Sequence, residues 1–211
     1  MQDIPSEAVE AIRAAGRRLD SRGWVPATAG NISVRLRDGR IAITRSGFHK
    51  GFIPEDGVML VDPAGQALGT NARPSAETLL HCGIYRRFGA AGAALHGHSV
   101  PATVLSRHAG DHLVLAGYEL LKAFPGLSTH DAAIRLPILD NDQDMARLQA
   151  RVEQRWDADP AHPPGYILRG HGVYVWAEDM PGALMRLEAL EFMLACELES
   201  ARLPAPSLSR E

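Results

Sequence analysis

Two histidines, His96 and His98, stand one residue apart at the end of a short apolar run. If residues 93–96 form a strand, side chains two positions apart point to the same face, about 6.5–7 Å apart along the chain. Two imidazoles can then reach one metal ion, and Gly97 adds no bulk between them. The same spacing also suits a pair of solvated or hydrogen-bonded histidines, so it favours two metal ligands but leaves this alternative open.

A catalytic metal ion that keeps an open position needs a third protein ligand. His171 is the best candidate, because Gly170 and Gly172 let the backbone approach a metal closely. His112 and His130 remain alternatives. Three neutral imidazoles would leave the full +2 charge on zinc, which suits a Lewis acid that stabilises an enediolate or activates water, although such sites also accept iron, nickel or cobalt. The other histidines stand in polar or helical segments and are interpreted as surface or partly buried residues: His49, His81, His108 and His162.

Small polar residues in three segments indicate a phosphate site. Residues 28–33 (TAGNIS) and 44–47 (TRSG) have the composition of turns beside strands. Ser75 is predicted to cap a helix, whose N-terminal amides carry partial positive charge. Further charge would come from Lys50, Arg45 or Arg73. Each segment alone is ordinary turn or capping chemistry, so the prediction depends on their occurring together with a metal site.

The elements that must position these residues alternate between helices and short strands. Apolar periodicity predicts helices over residues 4–19, 75–88, 118–123 and 141–156, one from about 101 and a long one from about 179; strands are predicted over 32–36, 41–43, 57–61, 66–68, 93–96, 113–116, 132–138, 166–168 and 173–176. Asn141 is predicted near a helix cap, and Pro181 is tolerated in the first turn of the last helix. This pattern predicts helices packed on a mainly antiparallel sheet. The wide apolar girdle of the last helix favours burial on more than one side, including against another subunit.

Composition limits the classes of function. The 211 residues carry a formal charge of -3, which gives no global attraction to nucleic acid or anionic membrane. Cys82 and Cys196 form no CxxC pair, so we expect buried reduced thiols rather than disulfides or a thiolate metal site. No apolar run approaches the roughly 20 residues that span a bilayer, and the first residues do not resemble a signal peptide. We expect a soluble cytoplasmic protein, with one domain over residues 1–203 and a disordered tail over 204–211.

Five motifs occur in a specific order: GNIS, TRSG, RPSAE, HGHS and GHG. Over roughly residues 5–200 the chain therefore resembles the class II aldolase/adducin family. The resemblance implies a three-layer α/β/α sandwich with a central, mainly antiparallel sheet, and commonly a cyclic tetramer with active sites between subunits. It also implies one zinc ion per subunit, held by His96, His98 and His171. The implied phosphate and substrate positions are Thr28, Asn31, Ser46, Gly47, Lys50, Ser75 and Glu77.

The resemblance leaves the branch of the family to be chosen. Sugar-phosphate aldolases of this family use a glutamate after paired serines, and Glu77 matches it, but Ala76 replaces the second serine. Residues 117–122 (GYELLK) and 73–81 (RPSAETLLH) instead resemble a zinc-dependent dehydratase branch, which acts on a methylthio-substituted ketose phosphate in methionine salvage. Its catalytic glutamate matches Glu119. A zinc aldolase or epimerase and a non-catalytic adducin-type scaffold are the alternatives, and Glu77 stays open between helix start, substrate contact and auxiliary acid.

Overall fold

A computed structural model describes residues 4–204 of the chain. Its helices are α1 (Ser6–Ser21), α2 (Thr78–Arg87), α3 (Val100–His108), α4 (Met145–Ala158) and α5 (Met180–Ser200). Its strands are β1 (Asn31–Arg35), β2 (Ile41–Thr44), β3 (Val58–Val61), β4 (Ala93–Gly97), β5 (His112–Ala116), β6 (Ala133–Leu139), β7 (Gly165–Leu168) and β8 (Gly172–Ala177). Short 3-10 helices cover Lys50–Phe52, Glu55–Gly57 and Glu119–Ala123.

The strands form one eight-stranded sheet in the order β3-β2-β1-β4-β8-β7-β6-β5. Within residues 4–204 every neighbouring pair is antiparallel except β6 and β7, which run parallel because α4 carries the chain from one to the other. β4 lies near the middle of the sheet, between β1 and β8. The ends of these three strands therefore meet at one edge, where the paired histidines and the GHG turn lie.

Alternation along each buried strand divides the core into two layers. Leu95 of β4 faces the cluster that includes residues of α1, α3 and α5, whereas Ala94 faces the cluster of α2 and α4. Ile12 of α1 and Leu187 of α5 pack in the first cluster, and Leu80 of α2 packs in the second. Helices thus cover both faces of a mainly antiparallel sheet, which confirms the predicted three-layer sandwich.

Several local predictions were wrong. Residues 66–68 form only an isolated bridge to β3, because their pairing is limited to Val61 and Ala67. Ser75 does not begin a helix: α2 starts three residues later, and the Ser75 hydroxyl accepts a hydrogen bond from the Glu77 amide within the preceding turn. Asp144, not Asn141, caps α4, since its side chain accepts from the amide of Arg147.

The C-terminal tail, the two cysteines and the surface of α5 were also subjects of prediction. The predicted tail lies outside the described residues except for Pro204. Cys82 is buried and Cys196 half-buried, and both are free thiols. α5 buries Leu190 and Leu194 but leaves Met185 and Phe192 more than half exposed. No helix within residues 4–204 is long and apolar enough to cross a membrane.

Candidate active site

His96 lies on β4, fully buried, with its side chain toward the α2 and α4 layer. Its Nδ1 is 2.9 Å from the carbonyl oxygen of Val173 on β8. A carbonyl only accepts, so Nδ1 carries a hydrogen and Nε2 is the nitrogen that can offer a lone pair to a metal ion. This Nε2 is buried and has no hydrogen-bond partner among residues 4–204. A buried, unpaired imidazole nitrogen with a fixed tautomer is what a metal ligand requires.

His98 and His171 complete a cluster of three imidazoles. Their ring centres are 4.6 Å apart and lie 4.5 and 5.1 Å from that of His96. The backbone amide of His98 donates to the carbonyl of Trp24, which fixes the chain just past the end of β4. Burial, reinforced by the other two histidines, lowers the pKa of His98 to about 3. His98 is therefore neutral at pH 7, the form that binds metals.

The backbone around the third histidine approaches β4 more closely than any side chain would allow. A Cβ atom on Gly172 would lie 2.2 Å from the carbonyl oxygen of Gly97 and 3.0 Å from Cε1 of His96. Only glycine fits there, because van der Waals contact begins near 3.4 Å. The glycine context that pointed to His171 thus has a direct steric reason.

Glu77 joins the three histidines from the start of α2. Its Oε1 is 2.8 Å from Nε2 of His171, its Oε2 is 3.5 Å from Nε2 of His96, and the Asn31 amide donates to Oε2. Burial would raise the pKa of Glu77, but the two histidines outweigh it and hold that pKa well below its usual range. The carboxylate is therefore ionised at neutral pH.

The donor set of this cluster fits a divalent metal ion. One ligand atom from each of Glu77, His96, His98 and His171 lies within 4.8 Å of the others. Ligands that share a zinc ion at about 2.0–2.2 Å are at most about 4.4 Å apart, so a small closure suffices. The alternatives lie elsewhere: His112 pairs with Asp111, and His130 lies beside Glu119 and Asp131.

A cavity of about 240 Å³ opens directly beside the cluster. All seven positions predicted for phosphate or substrate line it: Thr28, Asn31, Ser46, Gly47, Lys50, Ser75 and Glu77. His98 lines it too, so the cavity and the histidine cluster share a wall. The structure therefore brings the two predicted sites together.

Lys50 supplies the cationic group of this cavity. Its Nζ donates to the carbonyls of Thr28 and Phe48, both at 2.8 Å. An ammonium has three hydrogens, so one remains for a ligand. Burial lowers the pKa of Lys50 to about 8, against the opposing effect of the Glu77 carboxylate. Arg45, one of the alternatives, instead binds Asp56 and does not line the cavity.

Glu119 is not part of the histidine cluster. Its side chain is 67% exposed and pairs with Lys122 and His130. Lys122 lowers the pKa of Glu119 through a hydrogen bond and its charge. The structure therefore places the predicted acid/base at the surface of the chain and outside the cluster of three histidines.

Sequence reasoning missed an aromatic layer behind the histidines. Tyr174 stacks on the His96 ring at 4.0 Å, and Tyr166 stacks on Tyr174 at 4.8 Å. His81 was wrongly interpreted as a surface or partly buried residue: it is fully buried, with Nδ1 2.7 Å from the hydroxyl of Ser33. Strand alternation could have assigned the tyrosines to one face, but the sequence does not show that β7, β8 and β4 are neighbours.

Comparison with known proteins places the chain in one family. The profile of the Class II Aldolase and Adducin N-terminal domain matches residues 10–198, and the chain belongs to this family. A methylthioribulose-1-phosphate dehydratase of Gluconacetobacter diazotrophicus is 60% identical over 193 residues, 91% of this chain and 93% of that protein. A methylthioribulose-1-phosphate dehydratase of Pseudomonas aeruginosa is 50% identical over 200 residues, 94% and 97% of the two chains.

Solved structures agree on the fold. An L-fuculose 1-phosphate aldolase superposes with a TM-score of 0.79 at 19% identity, covering 97% of this chain and 91% of the aldolase. The L-fuculose-1-phosphate aldolase of Thermus thermophilus gives a TM-score of 0.75 at 25% identity, covering 94% and 97%. These likenesses confirm the class II aldolase architecture around the histidine cluster.

Proposed function

We propose that this protein dehydrates 5-methylthioribulose 1-phosphate to 2,3-diketo-5-methylthiopentyl 1-phosphate, as a cytoplasmic enzyme of methionine salvage. The observation that carries the proposal is the wall that the histidine cluster shares with the adjacent cavity of about 240 Å³, here called the anion cavity. His98 and Glu77 form this wall. A ketose phosphate fits this arrangement, because its phosphate and its carbonyl are separated by one carbon. The names of the relatives at 50–60% identity support the choice of substrate.

We propose zinc as the metal, with one ion per subunit. Three imidazole nitrogens, with or without a carboxylate oxygen, are a common zinc donor set. His96, His98 and His171 would be the ligands, and Glu77 would be a fourth ligand or a hydrogen-bonding neighbour. A bound divalent ion supplies Lewis-acid polarisation of the substrate carbonyl, which acidifies the adjacent carbon.

Other residues of the chain would bind the phosphate and transfer protons. The third hydrogen of the Lys50 ammonium, the Ser46 and Ser75 side chains and the loop at Gly47 bind the phosphate. A base removes the proton from C3, which forms the enediolate. Glu119, in its protonated form, gives a proton to the C4 hydroxyl, which leaves as water, and the proton taken from C3 restores the Glu119 carboxyl by way of solvent. The enol that remains tautomerises to the diketone, so the reaction needs no oxidant or reductant.

Glu119 would act on the centre of a neighbouring subunit. It is exposed and remote from its own cluster, as an acid contributed across an interface should be. An apolar groove of about 960 Å³ lies close by, lined by Leu120, Met185 and Phe192 among others. Exposed apolar area of this kind marks protein contacts. We therefore propose a homotetramer of the cyclic type that the family commonly forms.

Mixed assemblies test this arrangement. Produced alone, Glu119→Gln is expected to lose at least about 10²-fold in turnover, and His171→Ala is expected to be inactive. When the two are produced together, a site is intact wherever His171 of one subunit meets Glu119 of the next, which random mixing gives at about a quarter of sites. Recovery to about a quarter of the wild-type turnover supports the proposal. No recovery, in assemblies shown to contain both variants, contradicts a shared site.

An aldolase is the second candidate function. Glu77 lies within the histidine cluster, at the position that matches the acid/base of the family's sugar-phosphate aldolases. Purified protein should be assayed with 5-methylthioribulose 1-phosphate and with L-fuculose 1-phosphate, with the products identified by mass spectrometry. Loss of water from the thiosugar alone supports the dehydratase. Release of dihydroxyacetone phosphate, with no diketone, would establish the aldolase instead.

A further inference from the structure

Tyr174 lies directly behind the metal centre, between a candidate ligand and a second tyrosine. Its ring is nearly parallel to that of His96 at 4.0 Å and 12°, and to that of Tyr166 at 4.8 Å and 8°. The three residues are directly paired across β4, β8 and β7, and all are buried. The stack therefore fills the space behind the His96 ring and holds it in the orientation that its bond to Val173 sets.

The Tyr174 hydroxyl is buried without a hydrogen-bond partner among residues 4–204. Folded proteins retain few such groups, because an unpaired buried hydroxyl is destabilising. Burial raises the pKa of Tyr174 well above its usual value, and the carboxylate of Glu77 raises it further. The carboxylate of Glu77 lies beside this stack, because its Oε2 is 3.5 Å from Nε2 of His96, the ring on which Tyr174 stacks at 4.0 Å.

Metal binding changes what surrounds this carboxylate. In the described structure Nε2 of His171 lies 2.8 Å from Glu77. An imidazole nitrogen that ligates a metal has no hydrogen to donate. Glu77 then loses this donor and keeps the amide of Asn31. The Tyr174 hydroxyl is a donor on the side of the stack where Glu77 lies, and it makes no other hydrogen bond among residues 4–204.

We propose that Tyr174 is a positioning residue of the metal centre: its ring holds His96, and its hydroxyl donates to Glu77 when His171 binds the metal. The inference rests on the metal binding of the proposed function and on no particular reaction. A hydrogen bond that forms only in the loaded centre adds to metal affinity without adding to the stability of the metal-free protein.

Three variants separate these effects. Tyr174→Phe keeps the ring and removes the hydroxyl, whereas Tyr174→Leu removes both. Tyr85→Phe is the matched control, because the Tyr85 hydroxyl is also buried in this layer but bonds the Ser33 hydroxyl at 2.8 Å. For each protein, zinc affinity is measured by competition with a chromogenic chelator, and the melting temperature is measured after the metal has been stripped.

The Tyr174→Phe protein should bind zinc at least about 10-fold more weakly, the effect of a hydrogen bond to a charged group, and its metal-free melting temperature should not fall. The Tyr85→Phe protein should show the reverse, a lower melting temperature with unchanged zinc affinity. The Tyr174→Leu protein should lose more affinity than Tyr174→Phe. Wild-type zinc affinity in the well-folded Tyr174→Phe protein would overturn the inference, whereas a wild-type protein that binds no zinc would instead overturn the proposed metal.

Discussion

The Lys50→Met substitution removes the cation of the anion cavity while keeping an apolar side chain of similar length. Lys50 is only 2% exposed, and two of its three ammonium hydrogens are already bonded to the carbonyls of Thr28 and Phe48. The third is therefore the hydrogen that a substrate phosphate can accept. One charge-assisted hydrogen bond is worth about 1.5–3 kcal/mol, and about 1.4 kcal/mol corresponds to a factor of ten. The KM for the sugar phosphate should rise by about 10- to 150-fold.

The turnover number should change much less than the KM. The phosphate is held alike in the ground and transition states, so its loss is a loss of uniform binding. Steady-state kinetics with 5-methylthioribulose 1-phosphate separate the two parameters, and a thermal unfolding curve verifies that the variant is folded. Arg45→Met is the matched control, because Arg45 is the cation next to Ser46 but binds Asp56 outside the cavity. An unchanged KM for Lys50→Met, with a raised KM for Arg45→Met, would refute the assignment.

Three further predictions follow from the same geometry. Burial lowers the pKa of Lys50 to about 8, so its charge is present below that pH and lost above it. The substrate phosphate is already a dianion above about pH 6. The KM should therefore rise between about pH 7.5 and 9 in the wild type and stay constant in Lys50→Met. Gly172→Ala forces a Cβ atom to 2.2 Å from the Gly97 carbonyl oxygen, so it should lower the free energy of unfolding by about 1–3 kcal/mol or more and reduce bound zinc. Gly89→Ala, whose Cβ meets nothing within 4 Å, should leave the free energy of unfolding unchanged. Chemical denaturation measures both. Glu119→Gln should keep zinc and assembly but lose at least about 10²-fold in turnover. Asp131→Asn is the control, because Asp131 shares His130 with Glu119, and it should keep its turnover. Near-normal turnover in Glu119→Gln would refute the role of Glu119.

Spacing and glycine context favoured the three histidines that the structure brings together, and the family resemblance chose His171 over His112 and His130. His96 and His98 follow from strand geometry, and His171 follows from the flanking glycines, because close backbone packing leaves a direct signature in residue type. Small polar turn residues such as Ser46 and Gly47 indicated a phosphate cavity, and the family resemblance completed the set of positions. These are local properties of the chain.

The remaining features depend on contacts between distant segments. Glu77 reaches the histidines from the turn before α2, which begins at Thr78 rather than Ser75, and the capping preference of Ser75 does not reveal this start. The stack of His96, Tyr174 and Tyr166 depends on strand order and register, which single-strand alternation does not reveal. The proposed role of Glu119 would depend on a neighbouring subunit, because the fold of one chain leaves this side chain exposed and paired with Lys122 and His130.

Zinc titration of the metal-stripped protein tests the central claim most directly. Bound zinc and the loss of water from 5-methylthioribulose 1-phosphate would be measured on the same samples, for the wild type and for His171→Ala. Turnover should rise in proportion to occupancy and saturate at about one ion per subunit, and the variant should bind zinc more weakly and remain inactive at the same zinc concentration. Full dehydration by protein that contains no metal, or undiminished zinc binding and turnover in His171→Ala, would contradict a catalytic metal centre built on these three histidines.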